Sequence, residues 1–113
     1  MKLKLEIEVP DECIVNALDN ADIGYWATIK KGCRSHAELL KGNQTAIVEE
    51  SEGPHDDSDV SVHTLTGAKV RQGLKIMAEK YPHQFKYVMA DDTDAESGDV
   101  LVQCSLFGEL VYG

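Results

Sequence analysis

The final fourteen residues, 100–113, constrain the fold of this chain more than any other segment. They read VLVQCSLFGELVYG, and Glu109 is the single charged side chain among them. Terminal segments of most domains are polar and poorly ordered, so a segment this apolar is expected to pack against the rest of the protein. It either completes the core of a monomer or forms the interface of a symmetric homodimer, and the sequence leaves both open.

Length and composition predict one domain, spanning residues 1–113. The chain is 42% hydrophobic, which suffices for one compact core but not for two domains of ordinary size. No stretch approaches the roughly 18 apolar residues of a membrane span, and the start of the chain alternates charged and apolar residues, unlike a signal peptide. We therefore expect a cytoplasmic protein without a membrane anchor. Cys13, Cys33 and Cys104 are odd in number and widely spaced, which predicts free thiols.

The spacing of apolar residues predicts strands in the first half of the chain. Residues 2–9 alternate apolar and charged side chains, and residues 23–31 are rich in aromatic and β-branched residues, so a strand is expected at each place. Two further strands, 45–50 and 60–64, flank a segment containing Gly and Pro, which indicates a hairpin. Residues 33–44 form either one helical turn or an ordered loop.

Helices are predicted at four places. A Pro followed by acidic residues predicts a short helix over 10–19. Apolar residues at helical spacing between 70 and 81 predict another, which Pro82 should end while starting a further short helix. The Thr-Asp-Ala-Glu sequence at 93–96 has the form of a capping box, so a helix should follow, although residues 100–106 also alternate as in a strand. The resulting fold class is α+β: a small antiparallel β-meander followed by two to three packed helices.

The net charge of -9 is unevenly distributed along the chain. Residues 49–61 contain six acidic residues and no Lys or Arg, and residues 91–99 contain five acidic residues and again no base. Such a balance disfavours binding to nucleic-acid phosphates. If both acidic segments lie on one side, their carboxylates imitate a phosphate backbone and suit the basic surface of a partner protein. The candidate binding carboxylates are Asp56, Asp57, Asp59, Asp91, Asp92 and Asp94.

Tyr25 and Trp26 are the candidate aromatic contacts. Adjacent residues of a strand point to opposite faces, so one ring should enter the core while the other faces solvent, a loop or a partner. An exposed ring at this position would stack on a base or anchor a protein interface.

No motif for a cofactor or a metal stands out. The acidic residues at 92–96 alternate like the start of a calcium loop, but the turn glycine and the closing carboxylate are misplaced. The glycines match neither a Walker loop nor a dinucleotide fingerprint. Cys33 and His36 have a spacing that two metal ligands share, but no second pair accompanies them. We expect no metal and no cofactor.

Catalysis has no assignable residues in the sequence. An enzyme acting through Cys33, His36 or His63 remains an alternative, but no acid, base and orienting group can be assigned together. We therefore expect a protein that is not an enzyme.

Two stretches of the sequence resemble a known set of proteins. Residues 23–27 (IGYWA), followed by 94–103 (DAESGDVLVQ) and 106–113 (LFGELVYG), are similar to small, mostly uncharacterised proteins encoded by bacteriophages, prophages and other mobile elements. The resemblance covers about the second half of the chain and the aromatic strand. It implies a genomic context and the cytoplasm of a host cell, and it implies no mechanism.

Two functional hypotheses follow. The leading one is a small acidic accessory protein of a phage or mobile element that binds a host protein with a basic surface, such as a defence or nucleic-acid-processing enzyme, without catalysis. The alternative is a small-ligand module or sponge in which Tyr25 or Trp26 stacks a nucleotide and Lys69 or Arg71 meets its phosphate.

Overall fold

A computed structural model describes residues 7–50 and 61–113 of the chain. The α+β class is confirmed, since helices and an antiparallel sheet form one compact unit in this part of the chain. In chain order the elements are α1 (Asp11–Asn20), β1 (Ala27–Lys31), α2 (His36–Lys41), β2 (Ala46–Glu50), β3 (Val62–Leu65), α3 (Gly67–Lys80), α4 (Pro82–Met89) and α5 (Ala95–Phe107).

The three strands form an antiparallel meander in the order β1-β2-β3. Ala27 of β1 lies opposite Glu50 of β2, and Ala46 of β2 lies opposite Leu65 of β3. The antiparallel pairing of β2 with β3 confirms the predicted hairpin, while its connecting segment, 51–60, lies outside the described residues. The helices do not all follow the sheet as expected, because α1 precedes it and α2 is inserted between β1 and β2.

Two strand predictions differ from the structure where it describes them. Residues 2–6 of the strand expected over 2–9 lie outside the described residues, and residues 7–9 have no regular secondary structure. The second strand begins at Ala27 instead of Ile23, because a turn precedes it in which the backbone N–H groups of Trp26 and Ala27 both donate to the carbonyl of Ile23, at 3.0 and 2.9 Å.

Local signals placed most helices correctly. The helix predicted over 10–19 is α1, the segment before Pro82 is α3, and Pro82 begins α4. The open alternative at 33–44 is resolved as α2, a helix of 6 residues that ends at Lys41 and is followed by its C-cap, Gly42. Gly42 has φ of 86°, a left-handed conformation that glycine adopts at little cost.

The capping box of α5 lies one residue later than predicted. Asp94, not Thr93, is the N-cap: its carboxylate accepts from the Ser97 backbone N–H at 2.9 Å, and the Ser97 hydroxyl accepts from the Asp94 N–H at 3.0 Å. In this capping box, the side chain of each residue accepts from the backbone N–H of the other. The Thr93 hydroxyl instead accepts from the Asn20 side chain at 3.1 Å, which ties the start of α5 to the end of α1.

Helix α5 is the central element of the fold. Its residues from Ser97 to Ser105 are buried without interruption, and α1, α3, α4 and β3 all contact it. A helix covered on all sides has no polar stripe. This explains why residues 100–106 also matched strand alternation, and it shows that the strand alternative for them is wrong.

Glycines allow the helices to approach α5 closely. A Cβ atom at Gly98 would meet the backbone of Ala17 and Ala21 at the end of α1, and one at Gly73 of α3 would meet Ser105 of α5. Because the obstacles are largely backbone atoms, they cannot rotate away as a flexible side chain would. Both contacts therefore need glycine.

We expect Gly98→Ala to lower the free energy of unfolding by about 1–3 kcal/mol, because the new methyl group overlaps the backbone of α1. Urea denaturation measures the loss. Gly24→Ala is the matched control, since the nearest atom to its added Cβ is Asp22 Oδ1 at 3.7 Å, and its effect should stay within about 0.5 kcal/mol. Equal stability of the two variants would contradict the close packing of α1 on α5.

Candidate functional site

A buried carboxylate connects the two aromatic residues of the candidate site. Asp99 Oδ1 accepts from Trp26 Nε1 at 2.8 Å, and Oδ2 accepts from the Tyr25 hydroxyl at 2.5 Å. Gln103, one helical turn further along α5, donates a third hydrogen bond to Oδ1 at 3.0 Å. Asp99 is only 6% exposed, and these donors supply what a buried carboxylate requires.

The two rings have opposite environments, as predicted. Trp26 is fully buried, whereas Tyr25 is 49% exposed. The reason is not strand alternation, because both residues lie before β1 in the turn closed by the Ile23 carbonyl. Of these two residues, Trp26 contributes to the core and Tyr25 presents its ring at the surface.

Gln103 holds the C-terminal segment against α5. Its Oε1 accepts from the backbone N–H groups of Val111 and Tyr112, each at 2.8 Å, and its Nε2 donates to the Tyr112 carbonyl at 3.0 Å. A primary amide combines an acceptor and two donors in one plane, so this fully buried side chain pairs with the segment as a neighbouring strand would. The packing expected for the terminal segment is confirmed at Tyr112, while Leu110 and Val111 stay exposed.

Tyr112 joins this network to the sheet. Its ring stacks on Trp26 with centroids 5.2 Å apart and planes 8° from parallel, and its hydroxyl donates to Glu50 Oε1 at 2.5 Å. The other oxygen of Glu50 lies 2.8 Å from His63 Nε2. Burial raises the pKa of Glu50, but the hydrogen bonds from His63 and Tyr112 outweigh burial and hold that pKa below its usual value.

The exposed ring of Tyr25 forms one wall of a groove of about 550 Å³, which we call the Tyr25 groove. The exposed carboxylates of Asp22 and Glu96 lie along it, Leu110 adds apolar surface, and Asp99 lies at its base beside the tyrosine hydroxyl. No Lys, Arg or His lines this groove within the described ranges. It is therefore an acidic groove with an aromatic wall.

The predicted carboxylates that the structure describes, Asp91, Asp92 and Asp94, have separate local environments. Asp91 accepts from the Asn16 side chain at 2.9 Å, Asp94 caps α5, and Asp92 is exposed. Asp56, Asp57 and Asp59 lie outside the described residues. None of Asp91, Asp92 and Asp94 lines the Tyr25 groove.

Sequence reasoning missed the role of Asp99, which was counted only as one of the five acidic residues in 91–99. A usable signal existed, because Asp99 and Gln103 are four residues apart in an otherwise apolar run and therefore share one face of a buried helix. Two polar side chains on such a face must find partners inside the protein. Tyr25 and Trp26 supply those partners.

The basic side chains named in the nucleotide hypothesis are used within the fold. Lys69 Nζ donates to the Thr64 carbonyl at 2.7 Å, and Arg71 donates to Asp11 Oδ1 and to the Leu40 carbonyl, both at 3.3 Å. Neither of them lines the Tyr25 groove. A nucleotide stacked on Tyr25 in this groove would therefore not have Lys69 or Arg71 in its lining.

No family model matches this sequence, and comparison with curated proteins and with solved structures found no similar protein. In residues 7–50 and 61–113, no three His, Cys, Asp or Glu side chains are grouped so as to hold a metal ion. Over the same residues, no helix combines the length and apolar character needed to cross a bilayer. Function must be inferred from the geometry of the site.

We expect Gln103→Leu to lower the free energy of unfolding by about 2–4 kcal/mol, because it removes one of the three donors to Asp99 and leaves the backbone N–H groups of Val111 and Tyr112 without their acceptor. Hydrogen exchange at Val111 and Tyr112 should accelerate in the same variant. Gln84→Leu is the control, since Gln84 Oε1 is buried and has no hydrogen-bond partner among the described residues, and its removal should not lower the free energy of unfolding. Unchanged exchange at Tyr112 would show that Gln103 does not hold the segment.

The Tyr25 hydroxyl gives a testable pH dependence. Burial of the hydroxyl, its hydrogen bond to Asp99 and the charge of Asp99 raise the pKa of Tyr25 to about 12. An unfolded tyrosine titrates near pH 10, so this contribution to stability is fully present below about pH 10 and is lost as pH rises towards 12. We expect urea denaturation to show that the free energy of unfolding falls more steeply between about pH 10 and pH 12 for the natural chain than for Tyr25→Phe. An equal fall in both proteins would show that the hydroxyl does not take part in the Asp99 network.

Proposed function

We propose that this chain is a non-catalytic binding protein that captures a partner protein through a basic segment, with the Tyr25 groove as its binding surface. The observation that carries the proposal is the exposed Tyr25 ring, which its hydroxyl fixes to a buried carboxylate. Acidic side chains flank the ring, and the described residues that line the groove include no Lys, Arg or His.

The first support is the rigidity of the aromatic wall. The Tyr25 hydroxyl bond to Asp99 fixes the orientation of the ring, and Asp99 is itself fixed by Trp26 and Gln103. A side chain already held in one orientation loses little conformational freedom on binding. Tyrosine is also among the residues that contribute most to protein interfaces.

The second support is the chemistry of the groove. An arginine side chain can stack its guanidinium group on the Tyr25 ring while it donates hydrogen bonds to Asp22 or Glu96. Its methylene groups can then pack on Leu110, which is 39% exposed. The groove therefore offers a matching contact both to the guanidinium group and to the methylene groups of an arginine side chain.

The third support is the charge of the whole chain. A net charge of -9 repels nucleic acid and steers basic protein surfaces towards the molecule. Enzymes that hold nucleic acid present such surfaces, because they must neutralise phosphates. With the resemblance to phage and mobile-element proteins, we propose a host defence or nucleic-acid-processing enzyme in the host cytoplasm as the partner.

The test uses an arginine-rich peptide and a matched peptide in which citrulline replaces each arginine. We expect the natural chain to bind only the arginine peptide, and Tyr25→Ala to weaken that binding about tenfold, equivalent to about 1.4 kcal/mol and within the range of a desolvated cation–π contact. The double variant Asp22→Asn with Glu96→Gln should weaken binding by a similar factor. Fluorescence anisotropy measures each dissociation constant.

Glu12→Gln is the matched control, because Glu12 is an exposed acid of α1 that does not line the groove. It should bind the arginine peptide as tightly as the natural chain does. If Glu12→Gln and Tyr25→Ala weaken binding equally, the attraction is general to the charge of the chain and the groove is not the site. Light scattering without peptide shows whether the chain dimerises, and loss of the dimer in Tyr25→Ala would show that a second copy covers the groove instead.

A further inference from the structure

A second cavity, separate from the Tyr25 groove, lies between the end of α1, the sheet, the start of α2 and α5. We call it the His36 cavity; its volume is about 260 Å³. Its floor consists of apolar side chains that are each less than a tenth exposed: Leu18, Val48, Leu65 and Val102. An apolar cavity of roughly 150 Å³ already accepts a molecule the size of benzene, so this one has room for a small apolar ligand.

The rim of the His36 cavity is polar and carries one carboxylate, that of Asp19. His36 Nδ1 lies 2.6 Å from Asp19 Oδ1, and because a carboxylate only accepts hydrogen bonds, the hydrogen is on Nδ1. The Asp19 side chain is 56% exposed, so its remaining acceptor sites face solvent. No Lys or Arg lines the cavity in the part of the chain described.

Ile29 lines the same cavity and is 48% exposed. Ala27, two residues earlier in β1 and on the same face of the strand, is buried. A large apolar side chain beside an apolar cavity adds surface that a ligand with a hydrocarbon part would cover. The cavity thus combines an apolar floor, an apolar edge and a rim that carries the Asp19 carboxylate beside His36.

We propose that the His36 cavity binds a small apolar amine, with its ammonium group on the Asp19–His36 pair and its hydrocarbon part on the apolar floor. An ammonium group offers three donors and the charge opposite to Asp19. A carboxylate or phosphate head group would instead meet the like charge of Asp19. The proposal does not depend on the Tyr25 groove, since the two sites share no lining residue.

Cys33 provides a direct measure of occupancy. It lines the cavity and is partly exposed, whereas Cys13 and Cys104 are buried, at 8% and 1% exposure. A neutral disulfide reagent such as dithiodipyridine should therefore react first at Cys33, and mass mapping of the labelled peptide identifies the site. A ligand in the cavity should shield this thiol.

The experiment measures the labelling rate of Cys33 at increasing concentrations of n-hexylamine. We expect saturable protection, about tenfold at ten times the dissociation constant, because occupied molecules are then about ten times as numerous as free ones. Hexanoate, of the same length and opposite charge, and ethanolamine, an amine without the hydrocarbon part, should not protect. Protection by either of them equal to that by hexylamine would overturn the proposal, as would no protection by hexylamine.

Two variants test the residues that carry the site. Asp19→Asn should abolish protection by hexylamine, whereas Glu12→Gln, a charge-removing change at an exposed position of the same helix, should retain it. Ala46→Leu, which places added volume in the cavity, should remove protection without altering the rim. Circular dichroism confirms that each variant is folded, and undiminished protection in Asp19→Asn would rule out the assigned ammonium contact.

Discussion

The carboxylate of Asp99 is the constraint on which the rest of the structure depends. Helix α5 is buried along nearly its whole length, and a buried carboxylate without partners would cost several kcal/mol. Three donors, from Trp26, Tyr25 and Gln103, remove that cost. Satisfying Asp99 therefore fixes the turn before β1 against α5, places the indole in the core and leaves the Tyr25 ring at the surface.

The C-terminal segment connects this constraint to the sheet. Gln103 bonds Asp99 on one side and the backbone of Val111 and Tyr112 on the other, and the Tyr112 hydroxyl reaches Glu50 in β2. Two carboxylates on different elements are thus linked through one segment of chain. Because the same segment contributes Leu110 to the Tyr25 groove, the packing that stabilises the fold also shapes the proposed binding surface.

The distribution of charge explains why exposed carboxylates lie at both candidate sites. Several cations are used within the fold, as when Lys69 donates to the Thr64 carbonyl and Lys80 donates to the Gly108 carbonyl. The carboxylates of Asp19, Asp22 and Glu96 remain exposed at the cavity and at the groove. Both sites therefore offer acceptors and negative charge, and both suit partners that donate hydrogen bonds and carry positive charge.

The sequence by itself determined the α+β class, the hairpin of β2 and β3, and the helices around Pro82, because periodicity, proline and capping signals act over a few residues. Only the tertiary structure decided that α5 is a helix buried on every side, that Trp26 lies in a turn, and that Asp99 organises the site. Trp26 and Asp99 are 73 residues apart. Whether a carboxylate such as Asp99 is solvated or buried depends on residues that are far away in the sequence. A pattern of a few neighbouring residues carries no information about them.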